Sequence, residues 1–317
     1  MSTPPTVEDC QNPSFWQRIL PWLRLLRLPT VFTAVADIFC GYFLTRKLSI
    51  ETLPQETSLW LLLGASAGLY LAGMVLNDVF DAKLDAEERP ERPIPSGAIR
   101  LHHAQIFGGI LMAAGLTCAV LAGIVPLQIA VLIAACVLLY DAFAKSTWAG
   151  PVVMGSCRGL NILLGASLAG DQFLSWNTSH VTAATGLLVY ITGVTVFARN
   201  EAGEASTPSM RIGLAIATFG LLIDLWSINR FSVSDASRVA GCVVLALLAV
   251  NIILRGGRAI RVQQPRLTQK TVGLMLLCII FIDAAMVLGI TGNSPLAAVI
   301  AVLTIPAVLM KKVIPLS

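Results

Sequence analysis

Long runs of apolar residues dominate this chain and constrain its fold more than any other feature. The hydrocarbon core of a bilayer is about 30 Å thick and is crossed by roughly 20 apolar residues in a helix. Runs of this kind lie at about 29–45, 58–77, 104–124, 126–142, 151–170, 181–198, 210–227, 237–254, 271–290 and 294–310. We therefore predict an all-α, multi-pass membrane protein in which residues 1–317 form a single transmembrane domain.

The overall composition agrees with lipid as the main solvent of the chain. Hydrophobic residues make up 56% of the 317 residues and charged residues only 13%, whereas about a quarter of the residues in a typical soluble domain are charged. The seven cysteines are scattered and form no C-x-x-C pair. We expect them to be small buried hydrophobic residues rather than zinc ligands or disulfides.

The distribution of basic residues orients the predicted bundle. When loops are assigned alternately to the two sides, only Arg46, Lys47, Arg230 and Arg238 fall opposite the N-terminus, and Arg158 falls inside the fifth run. Basic loops face the cytoplasm, so the N-terminal segment 1–28 is predicted to be cytoplasmic. The loops at 78–103, 141–150 and 199–209 lie on the same side. Since the net charge of +4 arises from such loops, no nucleic-acid partner is indicated.

An acidic motif follows the second apolar run. Asn77, Asp81 and Asp85 are spaced i, i+4 and i+8, and Asp78 lies beside them, so a continuing helix would carry them on one stripe. Carboxylates in this spacing repel each other unless a counterion is present. Mg²⁺ is held by one or two carboxylates and completes its shell with water and phosphate. The motif predicts a magnesium site, although a solvated helix end would also explain it.

Basic side chains near this motif suggest an anionic ligand. Arg89 and Arg92 lie in a proline-rich loop, Glu88–Gly97, that cannot be a regular helix. Their planar guanidinium groups suit phosphate oxygens, but they would equally serve as topology determinants. Arg158 lies at membrane depth, where a charge normally faces a cavity or a partner. The sequence leaves open whether it contacts substrate or pairs with a carboxylate.

Two further polar segments fall on the same predicted face. Tyr140, Asp141 and Lys145 end the fourth run, and Asn200 and Glu204 follow the sixth, with Glu201 between them. Acidic and basic groups above a lipid-embedded bundle suggest a site for a diphosphate on an apolar tail. Metal ions would bridge the acidic segments through the diphosphate, and the tail would lie among the helices.

These motifs resemble the UbiA superfamily of intramembrane prenyltransferases over essentially the whole chain. The family's N-D-x-x-D-x-x-x-D motif is complete at residues 77–85, and residues 88–97 closely resemble its E-R-P-x-R-P-I-P-S-G loop. Tyr140 and Lys145 also match the family pattern. The resemblance implies nine core helices around a central cavity, with a tenth C-terminal helix. It also implies Mg²⁺ ions that hold an allylic (poly)prenyl diphosphate between two acidic motifs.

The second motif departs from the family pattern. Family members usually present aspartates in an arrangement such as D-x-x-G-D, whereas this chain has Asn200 and Glu204 at those places. Both residues offer oxygen ligands, but one formal charge is lost. This pattern is similar to the UbiA-like subgroup of bacterial Ebo gene clusters, which implies the bacterial inner membrane. In that subgroup a role in moving or modifying a metabolite has also been considered.

The leading hypothesis is a Mg²⁺-dependent transfer of a prenyl group to an aromatic or other small acceptor. Asn77, Asp78, Asp81 and Asp85 would hold one metal, and Asn200 and Glu204 the second. Arg89, Arg92, Lys145 and Arg158 would bind the diphosphate, and Asp141 and Tyr140 are the candidate catalytic residues, with Asp141 ordering Lys145 or the acceptor. The alternative is a non-enzymatic carrier for a lipid diphosphate or metabolite. A CDP-alcohol phosphotransferase is excluded because its motif is absent.

Overall fold

The computed structural model describes residues 15–46, 48–170, 178–199 and 207–313, and these ranges contain helices and no strand. In chain order the α-helices are α1 Phe15–Leu25, α2 Val31–Thr45, α3 Thr57–Phe80, α4 Ala82–Glu88, α5 Leu101–Ala122, α6 Ile124–Leu139, α7 Gly150–Ala166, α8 Ser179–Ala198, α9 Thr207–Phe231, α10 Asp235–Val262, α11 Pro265–Thr291, α12 Ser294–Val302 and α13 Thr304–Val313. The all-α prediction is confirmed.

The predicted apolar runs correspond closely to these helices. Within the described ranges, nine helical segments are long and apolar enough to cross a membrane. The remaining run, the fifth in chain order, is α7, whose 17 residues carry Arg158 and pack between α2 and α8. The last segment, Ser294–Lys312, is among the nine, but it breaks at Leu303 into α12 and α13. The chain is therefore an integral membrane protein, and its orientation stays a prediction.

The helices divide into an inner group and an outer group. In α2, α8 and α11 the apolar windows are 61%, 61% and 67% buried, against 22% in α5 and in α10. The exposed face of α10 is apolar, with Val239, Val243, Leu247, Val250 and Leu254 on it. Such a face is stable against lipid tails but not against water. The apolar side chains of α10 therefore do not all need positions in the protein core.

Glycines bring α2 and α7 into close contact at the centre of the bundle. A Cβ atom at Gly165 would overlap the backbone of Ile38, and one at Gly41 would overlap the backbone of Ile162. Small residues permit this approach in membranes, where packing rather than the hydrophobic effect drives helix association. The contact places the middle of α2 against the middle of α7, where Asp37 and Arg158 meet.

Small residues of α7 permit its close packing against two neighbouring helices. Gly155 and Gly159 lie against the backbone of α8, and Gly165 lies against that of α2. Gly170 makes no such contact, because no atom lies near a prospective Cβ, and its φ is 72°. Gly170 follows the end of α7 in a left-handed conformation that glycine adopts without strain.

Candidate active site

A cavity of about 530 Å³ lies within the bundle between α2, α3, α6, α7, α8 and α11. Apolar side chains from the middle of these helices form much of its wall, including Leu69, Ile133, Val137, Ile191, Val194 and Leu276. Cationic side chains also line it: Arg27, Arg89, Arg92, Lys145 and Arg158. Since only Asp81 and Asp141 among the lining residues are acidic, the polar part of the cavity is predominantly basic.

The first acidic motif is nearly continuous with its helix, as the spacing predicts. α3 ends at Phe80 and α4 begins at Ala82. The backbone N–H of Asp81 still donates to the carbonyl of Asn77 at 2.9 Å, and that of Asp85 to Asp81 at 2.8 Å. Of the four motif residues, Asn77 and Asp81 line the cavity.

The other two aspartates of the motif are held by arginines. Asp78 accepts a hydrogen bond from Arg27 at 2.7 Å, and Asp85 accepts one from Arg92 at 2.6 Å. The Arg92 guanidinium also lies 3.5 Å from Asp78, so it links the two carboxylates. Both aspartates and Arg92 are buried. These pairs anchor the proline-rich loop to the end of α3, because breaking a buried ion pair leaves an uncompensated charge.

Arg27 is a site residue that sequence reasoning identified only as a topology determinant. It lines the cavity, pairs with Asp78, and has a φ of 45° and a ψ of 46°. A residue other than glycine in this left-handed region is conformationally costly and is common at functional sites. The sequence carries no signal for this backbone conformation, since Arg27 is one of several arginines before the first span.

A π-helical turn at Tyr140–Ala144 follows α6 and carries the next group of predicted residues. Asp141 accepts a hydrogen bond from the Asn77 amide at 2.8 Å, and Lys145, just after the turn, forms an ion pair with Asp81. Tyr140, Asp141 and Lys145 all line the cavity. Turns of this type are rare and occur frequently at functional sites. The sequence does not predict this turn, although it does predict Tyr140 and Asp141 as site residues.

Arg158 reaches the cavity wall from the middle of α7 and pairs with a carboxylate on α2. Its guanidinium donates to Asp37 at 2.9 Å and to the hydroxyl of Thr33, and it lies 5.2 Å from the centre of the Tyr70 ring. Asn161, one turn further along, donates to Asp37 at 2.9 Å. Of the two interpretations that the sequence left open, the ion pair is present, while the exposed edge of Arg158 still faces the cavity.

The cavity offers oxygen donors suited to Mg²⁺. Asn77, Asp81 and Asp141 supply two carboxylates and an amide, the hard ligands that this ion prefers. No group of three histidine, cysteine, aspartate or glutamate side chains in the described part of the chain is arranged to hold a metal ion alone. A magnesium ion here would therefore need phosphate oxygens or water to complete its shell. Asn200 and Glu204, the predicted second metal motif, lie outside the described residues.

The fold and site define an intramembrane enzyme whose cavity combines a basic, oxygen-rich part with an apolar chamber. The chain belongs to the UbiA prenyltransferase family, whose model matches residues 34–314. Both the predicted superfamily and the enzyme class, a prenyltransferase, are thereby confirmed. The Ebo-type subgroup stays a prediction.

Known proteins with related sequences and structures agree with this membership. A digeranylgeranylglyceryl phosphate synthase from Sulfolobus acidocaldarius is 25% identical over 245 residues, which cover 74% of this chain and 86% of that enzyme. The structure of a UbiA homolog from Aeropyrum pernix K1 has a TM-score of 0.65 and 18% identity, covering 81% of this chain and 96% of that chain. A UbiA homolog from Archaeoglobus fulgidus bound to GPP and Mg²⁺ has a TM-score of 0.57 and 12% identity, covering 84% of this chain and 99% of that chain.

Proposed function

We propose that the enzyme transfers a prenyl group from an allylic diphosphate to a small acceptor within the membrane and requires Mg²⁺. The observation that carries this proposal is the cavity, in which five cationic side chains and two carboxylates adjoin an apolar chamber. A diphosphate needs cations, and a prenyl chain needs apolar walls, so one amphipathic donor would satisfy both parts. The GPP and Mg²⁺ bound to the Archaeoglobus fulgidus homolog support the same donor class.

The residues around the diphosphate have distinct proposed roles. Bound Mg²⁺ would neutralise the diphosphate and so make it a better leaving group. Asn77, Asp81 and Asp141 would hold the ion, and Asn200 and Glu204 would hold a second one. Lys145, released from Asp81 when that carboxylate turns to a metal, would stabilise the charge that develops on the departing group.

The remaining basic residues would fix the position of the donor. Arg89 is half-buried at the cavity wall and has no ion pair with a carboxylate among the described residues, so it is available to an anion. Arg92 and Arg158 are committed to Asp85 and Asp37 but also line the cavity. We propose that Asp78 and Asp85 support the site through Arg27 and Arg92 and contact a metal only if those pairs rearrange.

The acceptor and the orientation complete the proposal. Tyr140 lines the cavity beside Asp141 and is the proposed contact for the acceptor, with Asp141 ordering it or Lys145. An aromatic acceptor is one candidate. A glyceryl phosphate is the other, because the name of the Sulfolobus enzyme indicates a prenylated glyceryl phosphate as the product of that protein. The membrane is proposed to be the bacterial inner membrane, with the N-terminus and acidic motif in the cytoplasm.

The proposal is tested by measuring diphosphate release from purified protein in lipid nanodiscs. Geranyl, farnesyl and geranylgeranyl diphosphates are supplied with glyceryl phosphate or 4-hydroxybenzoate, with and without Mg²⁺. We expect Mg²⁺-dependent release that falls on the order of 100-fold in Asp81→Asn. Asp235→Asn is the matched control, because Asp235 is exposed at the start of α10, outside the cavity. Release that persists unchanged in Asp81→Asn would refute the assigned site.

The carrier hypothesis is the second candidate, favoured by the substituted residues Asn200 and Glu204. It predicts saturable, Asp81-dependent binding of a prenyl diphosphate without release of diphosphate under any acceptor condition. The same nanodisc preparations distinguish the two functions, since binding and release are measured on one sample. Binding without turnover would replace the enzyme proposal by the carrier.

A further inference from the structure

Three carboxyl groups lie deep inside the bundle, away from the acidic motif. Asp37 on α2, Asp224 on α9 and Asp283 on α11 are 0%, 1% and 1% exposed. Within the described part of the chain, no donor hydrogen-bonds to either oxygen of Asp224 or of Asp283. An ionised carboxylate without a donor in an apolar interior is very costly. These two aspartates therefore require an explanation that the proposed prenyl transfer does not provide.

Asp37 and Asp283 form a carboxyl pair. One Asp37 oxygen accepts hydrogen bonds from Arg158 and Asn161, both at 2.9 Å, and its other oxygen receives none from a described donor. The Asp283 carboxyl lies close enough to hydrogen-bond to Asp37. Arg158 balances one negative charge, so a second ionised carboxylate beside Asp37 would be uncompensated in the apolar interior, and the pair is expected to hold one proton. A protonated Asp283 would donate to the Asp37 oxygen that otherwise has no donor.

Asp224, on α9, lies against α8. Its carboxyl packs on Gly186, where no side chain intervenes. Besides each other, the titratable groups that interact with these aspartates are Cys40 of α2 and Arg158 of α7. The hydroxyl of Tyr190, on α8, donates its hydrogen bond to the carbonyl of Met275 and not to an aspartate. Among the described residues, Arg158 is thus the one cation facing the cluster, and Asp37 balances it.

Protons explain this cluster better than a metal ion. Three ionised carboxylates with one guanidinium would leave a net charge of −2 in the membrane interior. A bound cation would need the carboxylates to converge, but the described residues contain no such group of three. Two protons balance the charge without convergence, and one of them satisfies the second Asp37 oxygen.

We propose that Asp224 and Asp283 form an intramembrane proton-binding site, in which Asp283 donates its proton to Asp37. Asp37 is held by Arg158 and Asn161, which line the cavity, so the Asp283 proton is within two side chains of cavity solvent. The Asp224 proton has no such connection among the described residues. The Asp283 proton therefore exchanges with solvent faster than the Asp224 proton. The site is independent of the identity of the prenyl donor.

Infrared spectroscopy of the protein in nanodiscs at pH 7 tests this proposal, because a neutral carboxyl group has a carbonyl band that a carboxylate lacks. The wild type should show neutral-carboxyl bands, of which Asp224→Asn removes one and Asp283→Asn another. Asn has the shape of a neutral carboxyl, so both variants should fold and keep the wild-type thermal midpoint. Asp235→Asn, which changes an exposed carboxylate, should remove no band. In D₂O the band lost in Asp283→Asn should shift first.

Several results would overturn the proposal. Absence of any neutral-carboxyl band in the wild type at pH 7 refutes it even if a variant fails to fold. Bands that appear only after choline replaces Na⁺ would show that the cluster binds a cation instead. Spectra that are unchanged in both variants would assign the protons to other groups. Equal exchange rates for the two bands would refute the link from Asp283 through Asp37 to the cavity.

Discussion

Replacement of Arg158 by methionine distinguishes its two candidate roles, which are a buried ion pair with Asp37 and a contact with the substrate. Methionine fills most of the apolar volume of the arginine stem but leaves Asp37, which is fully buried, without its cation. Removing one partner of a buried ion pair costs about 3–5 kcal/mol. Since Asp37 can take up a proton in the variant, we expect the lower end, a loss of about 3 kcal/mol in the free energy of unfolding.

The assay is equilibrium unfolding in mixed micelles with sodium dodecyl sulfate as the denaturant. Adding Asp37→Asn to the Arg158→Met variant should restore most of the lost stability, because no charge is then left unpaired. Arg238→Met is the matched control, since Arg238 pairs with Asp235 on the surface and such pairs contribute about 0–1 kcal/mol. Wild-type stability in Arg158→Met, together with a raised KM for the prenyl diphosphate, would refute the structural role and assign Arg158 to substrate.

Three further predictions concern the cavity and the helix contacts. Lys145→Met should lower kcat for diphosphate release by about 100-fold with little change in KM, in steady-state assays, if the lysine stabilises the leaving group. Gly193→Ala should cost about 1–3 kcal/mol in micelle unfolding because its Cβ would meet the backbone of α9, whereas Gly109→Ala, with no atom nearby, should be neutral. Tyr190→Phe should cost about 1 kcal/mol by losing the 2.8 Å hydrogen bond to Met275.

The helical content and the face of the site were predictable because both depend on local patterns. Apolar runs of span length have few alternatives to a transmembrane helix, and the spacing of Asn77 and Asp81 places both on one stripe. Lys145 could be associated with that stripe by resemblance and Asp141 by its place at the end of the fourth run, and the structure brings both into contact with the stripe.

The partners of the charged residues were less predictable because they depend on tertiary packing. Asp85 continues the spacing of Asn77 and Asp81, and Asp78 lies beside them, yet these two aspartates face Arg92 and Arg27 rather than the cavity. The carboxylate opposite Arg158 is 121 residues away in the sequence, on α2, and the spacing of residues within one helix carries no information about it. The π-helical turn at Tyr140–Ala144 likewise has no simple sequence signature.

The grouping of the buried aspartates was also not predictable from the sequence. Asp37, Asp224 and Asp283 interrupt apolar runs singly, and each one taken alone resembles an occasional polar residue in a span. Their shared burial inside the bundle, on α2, α9 and α11, becomes visible only in the fold. The sequence does carry one general signal, since an ionisable residue within a span is costly and is usually functional.

The most direct test of the proposed function is a structure of the protein in lipid with Mg²⁺ and a non-hydrolysable thiolo analogue of geranyl diphosphate. We predict density for the diphosphate between Lys145, Arg89 and Asp81, with metal beside Asp81 and the chain against Ile133 and Leu276. Density for the analogue on the outer, lipid-facing helices, or an empty cavity at saturating analogue and Mg²⁺, would contradict the proposal that this cavity binds the prenyl donor.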